Sequence, residues 1–168
     1  YGGGEFLNGA SINGKLILKD GSTLENAKIY SNTNNIANGS EARHNTDSVV
    51  VVNGNVTLKG KVFLRGDEAP TGTDPATGKS YTGQTGMQVN GTLNLDKDAV
   101  LAVYGGGKDA TTSNGGSAII LNGGTITGEG KLIAVGGDGY FGEGGNAVSG
   151  NGTISVADAY LEGGASVS

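Results

Sequence analysis

The chain has 168 residues, of which 34 are Gly, 2 are Pro and none is Cys, and its formal net charge is −5. Gly without a three-residue period excludes collagen, ordered runs of Val, Ile and Leu argue against disorder, and the lack of Cys removes any disulfide framework or thiol chemistry. The 11 basic residues form no block, which argues against nucleic acid as the main partner, and no apolar run reaches the roughly 18 residues that would insert in a membrane.

The sequence opens on Tyr1 rather than Met, and the expectation is a single domain over 1–168 that is a piece of a larger protein. Asn13-Gly14-Lys15-Leu16-Ile17-Leu18 is the first, most worn copy of a phrase. Asn53-Gly54-Asn55-Val56-Thr57-Leu58 repeats it and leads to Lys61-Val62-Phe63-Leu64-Arg65-Gly66. Asn90-Gly91-Thr92-Leu93-Asn94-Leu95 repeats it again and leads to Val100-Leu101-Ala102-Val103-Tyr104. The clearest copy is 118–136, three short strands separated by Asn122-Gly123-Gly124 and Gly128-Glu129-Gly130. Asn151-Gly152-Thr153-Ile154-Ser155-Val156 is the last and leads to Tyr160-Leu161-Glu162. The Asn-Gly pairs draw closer together along the chain, and a phrase recurring at such a period marks a repeat architecture. The connectors, about 31–48, 67–86, 107–117 and 138–147, are rich in Gly, Asn, Thr, Ser and Asp, as loops are.

Within each copy the apolar period is two. Val50 and Val52, Met87 and Val89, Ile119 and Leu121 alternate in the first strands. Leu16 and Leu18, Val56 and Leu58, Leu93 and Leu95, Ile154 and Val156 alternate in the second. Val62 and Leu64, Leu101 and Val103, Leu132 and Ala134, Ala159 and Leu161 alternate in the third. Alternation of this kind means strands with one buried face. The expected fold is all-β: a right-handed parallel β-helix (solenoid) of about five turns, with long loops at one corner. A stack of Asn-Gly hairpins is the competing topology. The sharp Asn-Gly bends need positive φ, which Gly and Asn tolerate best, and Asn13, Asn53, Asn90, Asn122 and Asn151 would stack as an amide ladder.

Residues 123–139 (Gly-Gly-Thr-Ile-Thr-Gly-Glu-Gly-Lys-Leu-Ile-Ala-Val-Gly-Gly-Asp-Gly) and 150–156 resemble the glycine-rich repeats of bacterial cell-surface β-helix proteins, described as adhesin-like or carbohydrate-binding. The resemblance spans about 87–164 and is weak over 1–50. It implies a secreted, surface-displayed module with neighbouring domains in the same chain, and it carries over no binding residue.

The residues offer little catalytic chemistry. Glu41-Ala42-Arg43-His44-Asn45-Thr46-Asp47 gathers acid, base and His, but in a connector with no strand to hold it. Asp96 with Asp98, Asp67-Glu68 with Asp74, and Asp138 with Glu143 are the candidate calcium positions, and none matches a known calcium loop. No catalytic residue, metal ligand or cofactor is assigned. Gly105-Gly106-Gly107-Lys108 and Gly136-Gly137-Asp138-Gly139 lack the ending of a phosphate loop and read as corner glycines.

The outward residues of the third strands say more. Lys28 and Tyr30, Phe63 and Arg65, Ala102 and Tyr104, Ile133 and Val135, Tyr160 and Glu162 make an apolar, aromatic strip, whereas Thr57, Asn94, Thr127 and Ser155 make a plain polar face. Such a strip is covered or binds something. Either the connectors fold over it as a lid, or Tyr81, Tyr104, Tyr140 and Phe141 stack on sugar rings in a groove, with Asp138 binding hydroxyls. The expected function is a non-catalytic adhesin module for a glycan or host surface protein. A β-helix polysaccharide lyase or hydrolase and a structural stalk are the alternatives.

Overall fold

Alternating aliphatic residues make strands that need a partner at each edge and a cover over one face. The computed structural model describes residues 16–30, 48–69, 73, 78–107 and 113–168. Every regular element in them is a strand: β1 (Leu16–Lys19), β2 (Thr23–Glu25), β3 (Lys28–Tyr30), β4 (Val50–Asn53), β5 (Asn55–Lys59), β6 (Lys61–Arg65), β7 (Met87–Val89), β8 (Thr92–Leu95), β9 (Val100–Tyr104), β10 (Ile119–Val135), β11 (Gly139–Tyr140), β12 (Val148–Glu162) and β13 (Ser166–Val167).

Three parallel ladders organise them. The first runs β1, β4, β7, β10, β12. The second runs β2, β5, β8, β10, β12. The third runs β3, β6, β9, β10, β12. β10 and β12 pass through all three, with register shifts between Asn122 and Thr125 and between Gly128 and Lys131. The ladders are therefore parts of one parallel sheet, curled like a half-barrel. β11 and β13 form a separate parallel pair.

The curl gives the ladders a common interior. Met87 and Ile119 from the first, Leu93 and Ile126 from the second, and Leu101 and Leu132 from the third belong to one buried cluster. Each buried aliphatic side chain contributes about 1.5–3 kcal/mol, and a turn collects several of them only when its neighbours are present. On β12 the cover is thinner. Leu161 lies in register with Ala134, yet it is 49% exposed while Ala134 is fully buried.

The structure corrects the first copy. Leu16–Lys19 pairs with Val50–Asn53, so it belongs to the first ladder and not the second. Lys19, not Asn13, stands opposite Asn53; Asn13 lies outside the described residues. The Asn-Gly phrase at 13–14 is thus out of phase with its successors. Asp20 and Asn26 make the corners of this turn. The Asp20 carboxylate accepts the Asn55 N–H at 2.8 Å, and the Asn26 side-chain carbonyl accepts the Lys61 N–H at 3.0 Å. Gly60, at φ 64, leaves the room that the Asn26 amide fills.

The connectors leave after the third ladder and return before the first, and their stems have a structure of their own. Among the described residues, one chain of backbone hydrogen bonds crosses the stems of the last three, 67–86, 107–117 and 138–147. Gln84 N–H donates to Asp67, Gly106 to Gln84, Gly116 to Gly106, Gly137 to Gly116, Gly145 to Gly137 and Gly164 to Gly145, at 2.8–2.9 Å. Outgoing and returning legs alternate along it. The direction in which a Cβ would stand on Gly105, Gly137 or Gly164 is filled by a carbonyl oxygen of another leg, the position of a Cα–H···O contact. These stem glycines lie outside the left-handed region, so close approach rather than φ demands them. They are the glycines that read as corners in the sequence.

Two stability contrasts follow. Ile126→Ala should cost about 2–5 kcal/mol, because it empties a site closed on all sides, and Leu161→Ala under about 1 kcal/mol. Gly137→Ala should cost about 3 kcal/mol through overpacking against backbone, whereas Gly163→Ala, whose nearest neighbour lies at 3.7 Å, should be neutral or slightly stabilising. Chemical denaturation of the four variants checks both.

Candidate functional site

Parallel register turns alternate residues into columns that run from turn to turn. On the outer side of the third ladder Lys28, Phe63, Ala102, Ile133 and Tyr160 form one column. Arg65, Tyr104, Val135 and Glu162 form the column beside it. Phe63, Ala102, Tyr104, Ile133 and Val135 are half-buried, while Lys28, Arg65, Tyr160 and Glu162 are exposed. An apolar floor is therefore bordered by charged and polar ends.

The Phe63 and Tyr104 rings are the centre of this floor. Their centroids are 5.1 Å apart and their planes are tilted by 35°. The two residues sit on neighbouring strands, β6 and β9, and on adjacent columns, so their contact is diagonal. Three strand spacings, about 14 Å, separate the Phe63 level from that of Tyr160. The Tyr160 hydroxyl donates to Glu162 Oε2. That hydrogen bond, reinforced by the carboxylate's charge, holds the phenol above its ordinary value. Arg65 lies 3.8 Å from Glu68 in a solvent-exposed pair.

The other sequence-assigned residues stand on the connectors, which stack on one another as an arm. Tyr140 belongs to β11, which pairs with β13, and it bridges antiparallel to Ser113. Tyr140 and Phe141 meet edge to face with centroids 4.7 Å apart. Phe141 is 63% exposed and has a φ of 48°, a strained conformation for a bulky residue. Asp138 accepts the Ala165 N–H at 2.8 Å, which ties one of its oxygens to the next turn. Tyr81 is half-buried, and its carbonyl accepts the Asn114 N–H at 2.9 Å. The structure thus brings Tyr104 to Phe63 on the sheet and Tyr140 to Phe141 on the arm. Sequence reasoning placed Phe63 on the strip but left it out of the site; its offset from Tyr104 by one strand and two residues was the available signal.

The Asn column occupies the first corner. Asn90 donates to Asn53 at 3.4 Å and Asn122 to Asn90 at 3.2 Å, with Gln88 donating to Asn90 at 2.7 Å. Asn151 lies in register with Asn122. The segment 41–47, with His44, and Asp74 lie outside the described residues. Among the described residues no group of three or more His, Asp or Glu is placed to hold a metal ion, and no helix is long and apolar enough to cross a membrane. No protein-family model, curated protein or solved structure matches the chain.

Glu162→Gln leaves an oxygen that can accept from the Tyr160 hydroxyl but removes the carboxylate's negative charge, which disfavours the phenolate. The Tyr160 phenol should then titrate at lower pH, back toward its ordinary range. Spectrophotometric titration against a Tyr160→Phe baseline reads this directly.

Proposed function

We propose that the chain is a non-catalytic carbohydrate-binding module of a bacterial cell-surface protein, closed as a right-handed parallel β-helix of about five turns. The observation that carries the reading is the Phe63–Tyr104 pair on a floor of Ala102, Ile133 and Val135. Pyranose rings present apolar C–H faces that stack on such a floor, and their hydroxyls seek the charged groups at its border. Arg65, Lys28 and Glu162 supply that border. Tyr140, Phe141, Asp138 and Tyr81, on the arm that leaves the same ladder, would extend it. The coil's handedness rests on the general rule for parallel crossovers. Secretion and surface display rest on the resemblance of 123–139 and 150–156 to surface β-helix repeats, with a host surface protein as the competing ligand.

Isothermal titration of the chain against neutral and acidic oligosaccharides tests the reading. At least one glycan should bind, and Phe63→Ala and Tyr104→Ala should each weaken it tenfold or more, about 1.4 kcal/mol. Silence across the panel, or binding that both variants leave intact, overturns it.

A further inference from the structure

The outer side of the second ladder carries a different pattern. Register places Asn55, Thr92, Thr125 and Thr153 in one column. It places Thr23, Thr57, Asn94, Thr127 and Ser155 in the next. Every position is a hydroxyl or an amide, all are exposed or half-buried, and neither column holds a charge or an aromatic ring. None of these side chains is hydrogen-bonded to another of the described residues. The Thr side chains are β-branched, so their χ1 freedom is small and the array is preordered.

The array is regular in two directions, and its chemistry and spacing together bear on what it can engage. Its positions repeat at about 4.8 Å from strand to strand and at about 6.7 Å from residue i to i+2 along a strand. Tetrahedral water bonded at about 2.8 Å places second-neighbour oxygens about 4.6 Å apart. Four strand steps, from Thr23 to Ser155, accumulate a mismatch of only about 1 Å against that lattice. A flexible polymer or a single sugar gains nothing from such regularity; a surface that is itself periodic does. The geometry points to this face as an ice-binding surface, engaging the lattice through ranked Thr, Asn and Ser side chains. A crystalline polysaccharide is the weaker match, because the aromatic rings that would stack on pyranoses lie on the third ladder and not here. The inference is independent of the glycan reading.

Thermal hysteresis and ice-crystal shape, observed with the whole 168-residue chain, test it. The unaltered chain should facet growing crystals and open a gap between melting and freezing. Thr92→Lys and Thr125→Lys, placed in the middle of one column, should each abolish most of that gap with the far-ultraviolet circular dichroism unchanged. Tyr104→Ala, on the other face, should keep it. Thr57→Lys replaces either variant should one lose its fold. Crystals that grow unshaped in the presence of the folded chain overturn the inference, as do Lys variants that retain full activity. Retention on microcrystalline cellulose or chitin, lost in the same variants and without ice shaping, also overturns it and assigns the face to polysaccharide.

Discussion

Parallel in-register pairing is the constraint from which the rest of this structure descends. Each residue stands over its equivalent one strand away, so a choice made once is repeated down a column. An aliphatic position becomes a continuous core: Val56, Leu93 and Ile126 lie on one another and are almost fully buried. An outward position becomes a stripe of one chemistry. The same rule means that a misfit is also repeated, which explains why bulges are confined to the corners at Asn122–Thr125 and Gly128–Lys131.

That rule also explains the glycine content. Two legs of each connector must pass through the thickness that one strand occupies in the sheet. Out and return legs therefore alternate at hydrogen-bonding distance, and no Cβ fits between Gly106, Gly116, Gly137 and Gly145. The stems hold the arm that carries Tyr140 and Phe141. Stability in the sheet comes from buried aliphatic area, while order in the stems comes from backbone bonds with scarcely any side chain to bury.

Much of the ladder pattern was legible in the sequence, because period-two alternation and the Asn-Gly phrase report on adjacent residues. Met87, Leu93, Ile126 and Leu132 face inward as their alternation implied. The first copy was misread since Asn13-Gly14 imitates the corner phrase, while the corner that matches Asn53-Gly54 is Lys19-Asp20-Gly21. A motif of two small residues cannot set register alone; the burial of Leu24 and Ile29 downstream does. The stems were missed for a related reason. Gly105-Gly106, Gly115-Gly116, Gly136-Gly137, Gly144-Gly145 and Gly163-Gly164 recur like the strands, but a doublet of glycines gives no amphipathic signal, so it reads as a loop. The pairing of Phe63 with Tyr104 required the register itself.

The two solvent faces differ because the columns on them were free to differ. On the third ladder the outward set mixes Phe63, Ala102, Ile133 and Tyr160, and no two neighbours in the column share a size. Such a surface is uneven and suits a ligand with its own contour. On the second ladder two of the outward columns, those of Asn55 and Thr23, are nearly uniform in chemistry. Solubility alone asks only for polarity, and Lys or Glu in these columns would satisfy it more strongly. The charged residues Glu25, Lys59 and Glu129 instead stand at the edge of that face, beside the corner. The columns Asn55-Thr92-Thr125-Thr153 and Thr23-Thr57-Asn94-Thr127-Ser155 stay polar and uncharged on every strand they cross, and this order, beyond what solubility requires, is what distinguishes the second ladder's outer side from the third's.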